Sequence, residues 1–374
     1  MSAIKINRRC VLGGIAGVLA PFSEPSNSSD HFPLWQIASR RGIRFGSALS
    51  TRGLADPAYR QLIAAECAVL VCENEMKWRA LRPVRSRYAF ERADKIIAFA
   101  RENGKVMRGH ALLFHRALNG VWDAEVEHSG AERAIVDHIT TTVGHMQTAV
   151  ASWDVVNEPI DPNSERPDRL RDSPFLRKLG PNYIDLAFLA TRQLAPHAVL
   201  VLNDWVAPYR PQFFQNHRTA MLSLLGRLKK DGIPVDALGI QGHLVASRDD
   251  FDEHEWSGFL AEIEAMGLRV LITELDVADS GLPADFETRD KIVADHARAF
   301  LDVTLSFGNV TDLLTWGLSD SYSAVHLNHA RKDGRRNRSN PYDDRLSPKR
   351  LRSAIAKALS AAPSRDASQE KLHQ

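Results

Sequence analysis

Glu158 closes the segment SWDVVNE, and Glu274 sits near the end of RVLITELD. Two carboxylates facing each other across a cleft can hydrolyse an acetal. One protonates the leaving oxygen, and the other attacks the anomeric carbon or activates a water. Pro159 follows Glu158 and disfavours helical backbone there, as expected for a carboxylate held at a strand end. An anionic Glu274 nearby is expected to raise the pKa of Glu158 and keep it protonated. Once Glu274 became a neutral ester that effect would vanish, and Glu158 could act as base. Asp276 lies two residues beyond Glu274, so strand alternation puts both on one face; Gln241 and His243 share a face likewise.

These residues belong to a wider pattern. The chain contains apolar runs at Ile43–Leu49, Ala68–Asn74, Val106–His115, Ser152–Glu158, Ala198–Asp204, Ala237–His243, Arg269–Asp276 and Leu313–Asp320. Amphipathic stretches such as Ala93–Glu102 and Phe259–Met266 lie between them. Strands alternating with helices predict βα units and a parallel sheet, and eight units predict a closed (β/α)8 TIM barrel of α/β class. An open doubly wound sheet usually carries a Gly-rich phosphate loop after its first strand; this chain has none. Seven of the eight runs begin apolar and end polar, on Glu73-Asn74, His110 with His115, Asn157-Glu158, Asn203-Asp204, Gln241 with His243, Glu274 with Asp276, and Trp316. Barrel strand ends converge on one face, where active sites form. Buried polar groups are costly, so the recurrence predicts a wet functional cleft.

The composition agrees with an enzyme of this size. The 374 residues are 44% hydrophobic and 25% charged, with a net charge of +2, which calls for neither nucleic acid nor an anionic membrane as partner. Cys10, Cys67 and Cys72 have no metal-ligand spacing. Cys67 and Cys72 read as buried thiols on opposite faces of one strand. Lys5, Arg8 and Arg9 precede the short apolar run Val11–Ala20, which fits a signal peptide and resembles a twin-arginine export signal. The expected organisation is a signal and polar spacer over 1–29, a single catalytic domain over 30–361 and a disordered tail over 362–374. The mature protein is then periplasmic or secreted, off the membrane, and a monomer.

WDVVNEP and ITELDV together resemble glycoside hydrolase family ten, the TIM-barrel endo-β-1,4-xylanases. ENEMKW, GHALLFH, LND, GIQGHL and TWGLSD look like further motifs of that family in the family's order. The resemblance implies a retaining two-glutamate mechanism on xylan, without cofactor or metal. It makes Glu158 the acid/base and Glu274 the nucleophile. Asn157 resembles the asparagine that binds the sugar 2-OH, His243 the histidine beside the nucleophile, and Asp276 the acid orienting it. Glu73, Asn74, Lys77 and His110 resemble the groups holding the non-reducing sugars; Gln241 and Trp316 complete the expected binding set. The peptide after this histidine is often cis in the family. Glu75 is expected to point away, Trp78 and Trp153 to pack in the core, and Asp154 to support Glu158 or make a structural hydrogen bond.

The chain departs from the family at sugar-stacking positions. Phe114 and Ala324 stand where tryptophans are usual, and Trp205 where a tyrosine is common. Room at Ala324 keeps another β-1,4-glycan open as substrate unless Tyr322 or Trp205 fills the gap. A noncatalytic carbohydrate-binding barrel would normally have lost a catalytic carboxylate. A metal-dependent hydrolase would need a His/Asp cluster, and His110 and His243 come from different strands. The basic stretch Arg331–Arg338 reads as a flexible, solvated loop.

Overall fold

Alternating strands and helices close here into one parallel barrel. The computed structural model describes residues 32–365; the expected signal segment and residues 366–374 lie outside the described residues. The strands are β1 (Arg44–Leu49), β2 (Val69–Cys72), β3 (Val106–Phe114), β4 (Val150–Asn157), β5 (Val199–Asp204), β6 (Ala237–Ile240), β7 (His243–Val245), β8 (Arg269–Ala278) and β9 (Val310–Thr315). All neighbours pair in parallel, and β6–β8 together with β9–β1 close the ring. The sixth barrel strand is broken: β6 stops at Ile240, Gly242 takes φ +78°, and β7 resumes beside β8 with His243 opposite Asp276. The last strand begins at Val310, before the expected Leu313. Cys67 ends the helix Pro57–Glu66 rather than sitting on β2, and both Cys67 and Cys72 are buried, unpaired thiols.

Caps written in the sequence start the helices. Asp56 accepts from the N–H groups of Ala58 and Tyr59, Asp252 from Glu255, and Asp285 from Thr288. Such caps satisfy donors that the first turn leaves free, contributing about 1 kcal/mol each.

Strand alternation divides the core. Leu70, Cys72, Leu200 and Leu202 face outward into the layer shared with the helices. Their neighbours Val69 and Val71, with Ala48, Leu314 and Trp316, form one inner cluster, and Val201, Ala237 and Leu271 form another. The barrel interior is otherwise polar. Arg108 donates through Nε to Ser152 Oγ at 3.1 Å and pairs through Nη2 with Asp154, both residues being fully buried. A buried charge is tolerated only when so paired. A Cβ on Gly109 would fall 2.1 Å from the Trp153 ring, so a glycine lets that core tryptophan lie against β3.

The described residues of two segments expected to be loose are packed. Past Ala361 the chain continues to Arg365, whose guanidinium donates to the carbonyls of Leu305, Phe307 and Val310 at 2.9–3.0 Å; the capping of unpaired carbonyls holds what composition alone marks as tail. In the basic loop, Arg331 is buried and bonded to Leu282 O at 3.0 Å, Asn337 to Asp279 Oδ1 at 2.8 Å, and Arg338 to Asp290 at 2.7 Å. Only its tip, Lys332 to Arg336, is exposed.

Candidate active site

The strand ends converge as the sequence predicts. At the end of β4, the Glu158 N–H donates to Asn203 O on β5 at 2.8 Å, and Arg171 donates through Nε to Glu158 O at 3.0 Å. Glu158 takes φ +54°, a left-handed conformation that costs a non-glycine residue of order 1–3 kcal/mol. The backbone turns out of the strand there, and Gln241 Nε2 donates to Glu158 Oε1 at 3.3 Å. Burial, above all, raises the Glu158 carboxyl to about 7; the charge of Asp204 adds to this, and that of Glu274 adds less. Glu274 therefore contributes to the protonated state but is not its main cause.

Glu274 on β8 is buried and held at both oxygens. Asn203 Nδ2 donates to Oε1 at 2.8 Å, and His243 Nε2 lies 3.2 Å from Oε2. His243 Nδ1 is 2.9 Å from Asp276 Oδ1, so Asp276 orients the imidazole that serves Glu274. Burial alone would raise the Glu274 carboxyl, but the His243 hydrogen bond and the charges of His110, His243 and Lys77 outweigh it and bring it down to about 2. Burial opposes a charged His243, and the two carboxylates overcome that and raise its pKa well above the ordinary range. Its side chain stays 36% open to the cleft, so solvent screens part of this coupling.

The other expected residues surround this pair. Lys77 Nζ donates to Asn74 Oδ1 at 3.0 Å, and Asn74 Nδ2 to Glu73 Oε1 at 3.1 Å. Lys77 also lies 5.6 Å from the Trp316 ring centre and 5.8 Å from that of Phe114, within cation–π range. Burial lowers the Lys77 pKa and raises that of Glu73. His110 meets the edge of Trp316 at 5.3 Å, its Nδ1 is 2.9 Å from Asp154 Oδ2, and the His110–Ala111 peptide is cis. Asp154 thus supports His110 and Arg108, not Glu158. Asn157 Oδ1 accepts from Asn203 Nδ2 at 2.8 Å. Glu75 turns away to Thr51 and Arg92, and Trp78 stacks on buried His138. Among the described residues no three His, Cys, Asp or Glu converge on a metal-sized site.

The sequence alone gives Asn203 no individual role. Its side chain joins Asn157, Glu274 and Thr273 Oγ1, the last donating to Asn203 Oδ1 at 2.8 Å. A Cβ on Gly239 would lie 2.2 Å from that same Oδ1, so the glycine of GIQGHL makes the space Asn203 occupies. The position of LND at a strand end was the available signal.

The cleft lacks an aromatic cover at Ala324. Tyr322 stacks on Tyr59 with centroids 4.0 Å apart and donates to Asp56 Oδ2 at 2.6 Å. Trp205 packs against His217 and Phe213, at 4.2 and 5.6 Å. Both rings are thus engaged elsewhere.

The sequence profile of glycosyl hydrolase family 10 matches residues 34–358. Endo-1,4-beta-xylanase 5 of Pyricularia oryzae is 31% identical over 297 residues, covering 77% of this chain and 70% of its own. Endo-1,4-beta-xylanase B of Thermotoga neapolitana is 30% identical over 310 residues, covering 80% and 85%. Among solved structures, native xylanase 10B from Thermotoga maritima superimposes with a TM-score of 0.76 at 28% identity, covering 87% of this chain and 98% of that one. Xylanase 10B from Thermotoga petrophila in complex with xylobiose gives 0.77 at 28%, covering 88% and 97%.

Proposed function

The chain belongs to glycosyl hydrolase family 10, and from that premise we propose that it is a retaining endo-β-1,4-xylanase with Glu274 as nucleophile and Glu158 as acid/base. One observation carries the reading. Two glutamates that face one cleft from β4 and β8 are driven apart in pKa, Glu158 raised to about 7 and Glu274 lowered to about 2. That division of labour is what double displacement at an acetal requires.

In the first step a Glu274 oxygen bonds to the anomeric carbon as the glycosidic C–O bond breaks, and the Glu158 proton passes to the leaving oxygen. Asn203 and His243 keep Glu274 ionised and aimed. In the second step Glu158, now a carboxylate, takes a proton from water while its oxygen attacks the anomeric carbon and displaces Glu274. Glu73, Asn74, Lys77, His110 and Asn157 hold the sugar hydroxyls, with Trp316 as the apolar wall.

The uncovered position at Ala324 favours a second reading, a cleft that also admits glucosides of a β-1,4-glucan. Product analysis on xylan and on mixed-linkage glucan, with and without chelator, tests both readings. Preferential, chelator-independent release of xylo-oligosaccharides is expected; products from neither polymer would contradict both. The Arg8-Arg9 segment supports export of a monomeric enzyme to its polymer, and replacing both arginines by lysine is expected to retain the precursor in the cytoplasm.

A further inference from the structure

The turn that carries Glu158 is held from two sides. Arg171 donates through Nε to Glu158 O at 3.0 Å and through Nη2 to Ile160 O at 2.6 Å. Asp204, at the end of β5 and fully buried, accepts the Ile160 N–H at 3.3 Å through Oδ2 and the Trp205 N–H at 2.8 Å through Oδ1. Among the described residues no lysine or arginine pairs with Asp204. At ion-pair distance it meets His217, fully buried on the helix Gln212–Lys230, whose Nε2 lies 3.2 Å from Oδ1 but without hydrogen-bond geometry at either ring nitrogen. A carboxylate this buried would ordinarily carry a cation.

We propose that Asp204 is the positioning residue of the acid/base glutamate, closing the Glu158–Ile160 turn against Arg171 and presenting its carboxylate to the Glu158 carboxyl with no lysine or arginine beside it. The proposal rests on the assignment of Glu158 as acid/base. A like charge disfavours ionisation, and Asp204 raises Glu158 more than Glu274 does. The other charges acting on Glu158 are Glu274, Lys77 and Arg171; His115 and Tyr183 also feel Asp204. The difference between the two acids matters over a full turnover. Glu274 loses its charge on forming the ester, whereas Asp204 takes no part in that bond. Glu158 therefore stays a good base in the second step, because a base works best with a pKa near the working pH.

The test compares Asp204→Asn and His217→Lys with the parent, each checked for folding by its Tm. Asp204→Asn removes the charge. His217→Lys places a cation beside it and leaves the carboxylate's N–H bonds in place. Both are expected to move the alkaline limb of kcat/KM on xylo-oligosaccharides to lower pH, by about one unit. Aryl glycosides with activated leaving groups, which need no proton, should keep their first-step rate. A purely structural Asp204 predicts no shift in His217→Lys, and that result overturns the proposal even where Asp204→Asn fails to fold. The parent's alkaline limb should itself vanish in Glu158→Gln; a limb surviving there would overturn the assignment of Glu158 and this proposal with it. A limb that vanishes in Glu158→Gln yet stays unmoved in the other variants would overturn this proposal alone.

Discussion

Asn203 Nδ2 donates to Glu274 Oε1 at 2.8 Å, while Asn203 O receives the Glu158 N–H at 2.8 Å. One residue of β5 therefore holds Glu274 by its side chain and Glu158 by its backbone. Asn203→Ala should lower kcat/KM by a factor of roughly thirty, the loss of a hydrogen bond to a charged group being about 2 kcal/mol. The backbone bond to Glu158 survives the substitution. An unchanged kcat/KM in the folded variant would remove Asn203 from the account.

Substitution should separate the glutamates by substrate. Glu274→Ala loses turnover on every glycoside, because no ester can form. Glu158→Ala loses the polymer but keeps the first step on activated aryl glycosides, giving a burst followed by slow release. Equal losses on both substrate types in Glu158→Ala would contradict the assignment.

On the proposed mechanism the acid limb should belong to Glu274, which must be ionised to attack and is held down to about 2. Removing His243 takes away a hydrogen bond and a positive charge, so the Glu274 pKa rises. In His243→Ala the acid limb of kcat/KM should move to higher pH while the alkaline limb stays in place. Steady-state profiles on a neutral xylo-oligosaccharide read both limbs at once.

Tyr322 is bonded to Asp56 and Trp205 packs on His217, so neither ring covers Ala324. Glucosides should then be poor but measurable substrates. Ala324→Trp should tighten binding and raise the ratio of kcat/KM for aryl β-xylobioside over aryl β-cellobioside, an aromatic platform burying about 150–250 Å². A ratio and KM both unmoved would show that the subsite is not open at this position.

The barrel and its chemistry were legible because strand alternation and polar strand ends depend on local sequence. Seven of the eight apolar runs, ending on Glu73, His110, Glu158, Asn203, Gln241, Glu274 and Trp316, place their polar ends on one face without any knowledge of distances. What spacing could not reveal were partnerships across the barrel. Asp154 lies in phase with Glu158 along β4, yet it turns to Arg108 and His110 on β3. The main neighbouring charge on Glu158 comes from β5 rather than β8, which only the folded geometry decides. The basic loop looked solvated because its anchors, Asp279 and Asp290, lie far away in sequence.

Stereochemistry tests the central claim most directly. Retaining pairs stand about 5–5.5 Å apart and leave no room for water between carboxylate and sugar. Proton NMR of xylo-oligosaccharide hydrolysis should show the β-anomer of the new reducing end first, followed by slow mutarotation. First appearance of the α-anomer would mean that water attacks directly and that Glu274 is not the nucleophile.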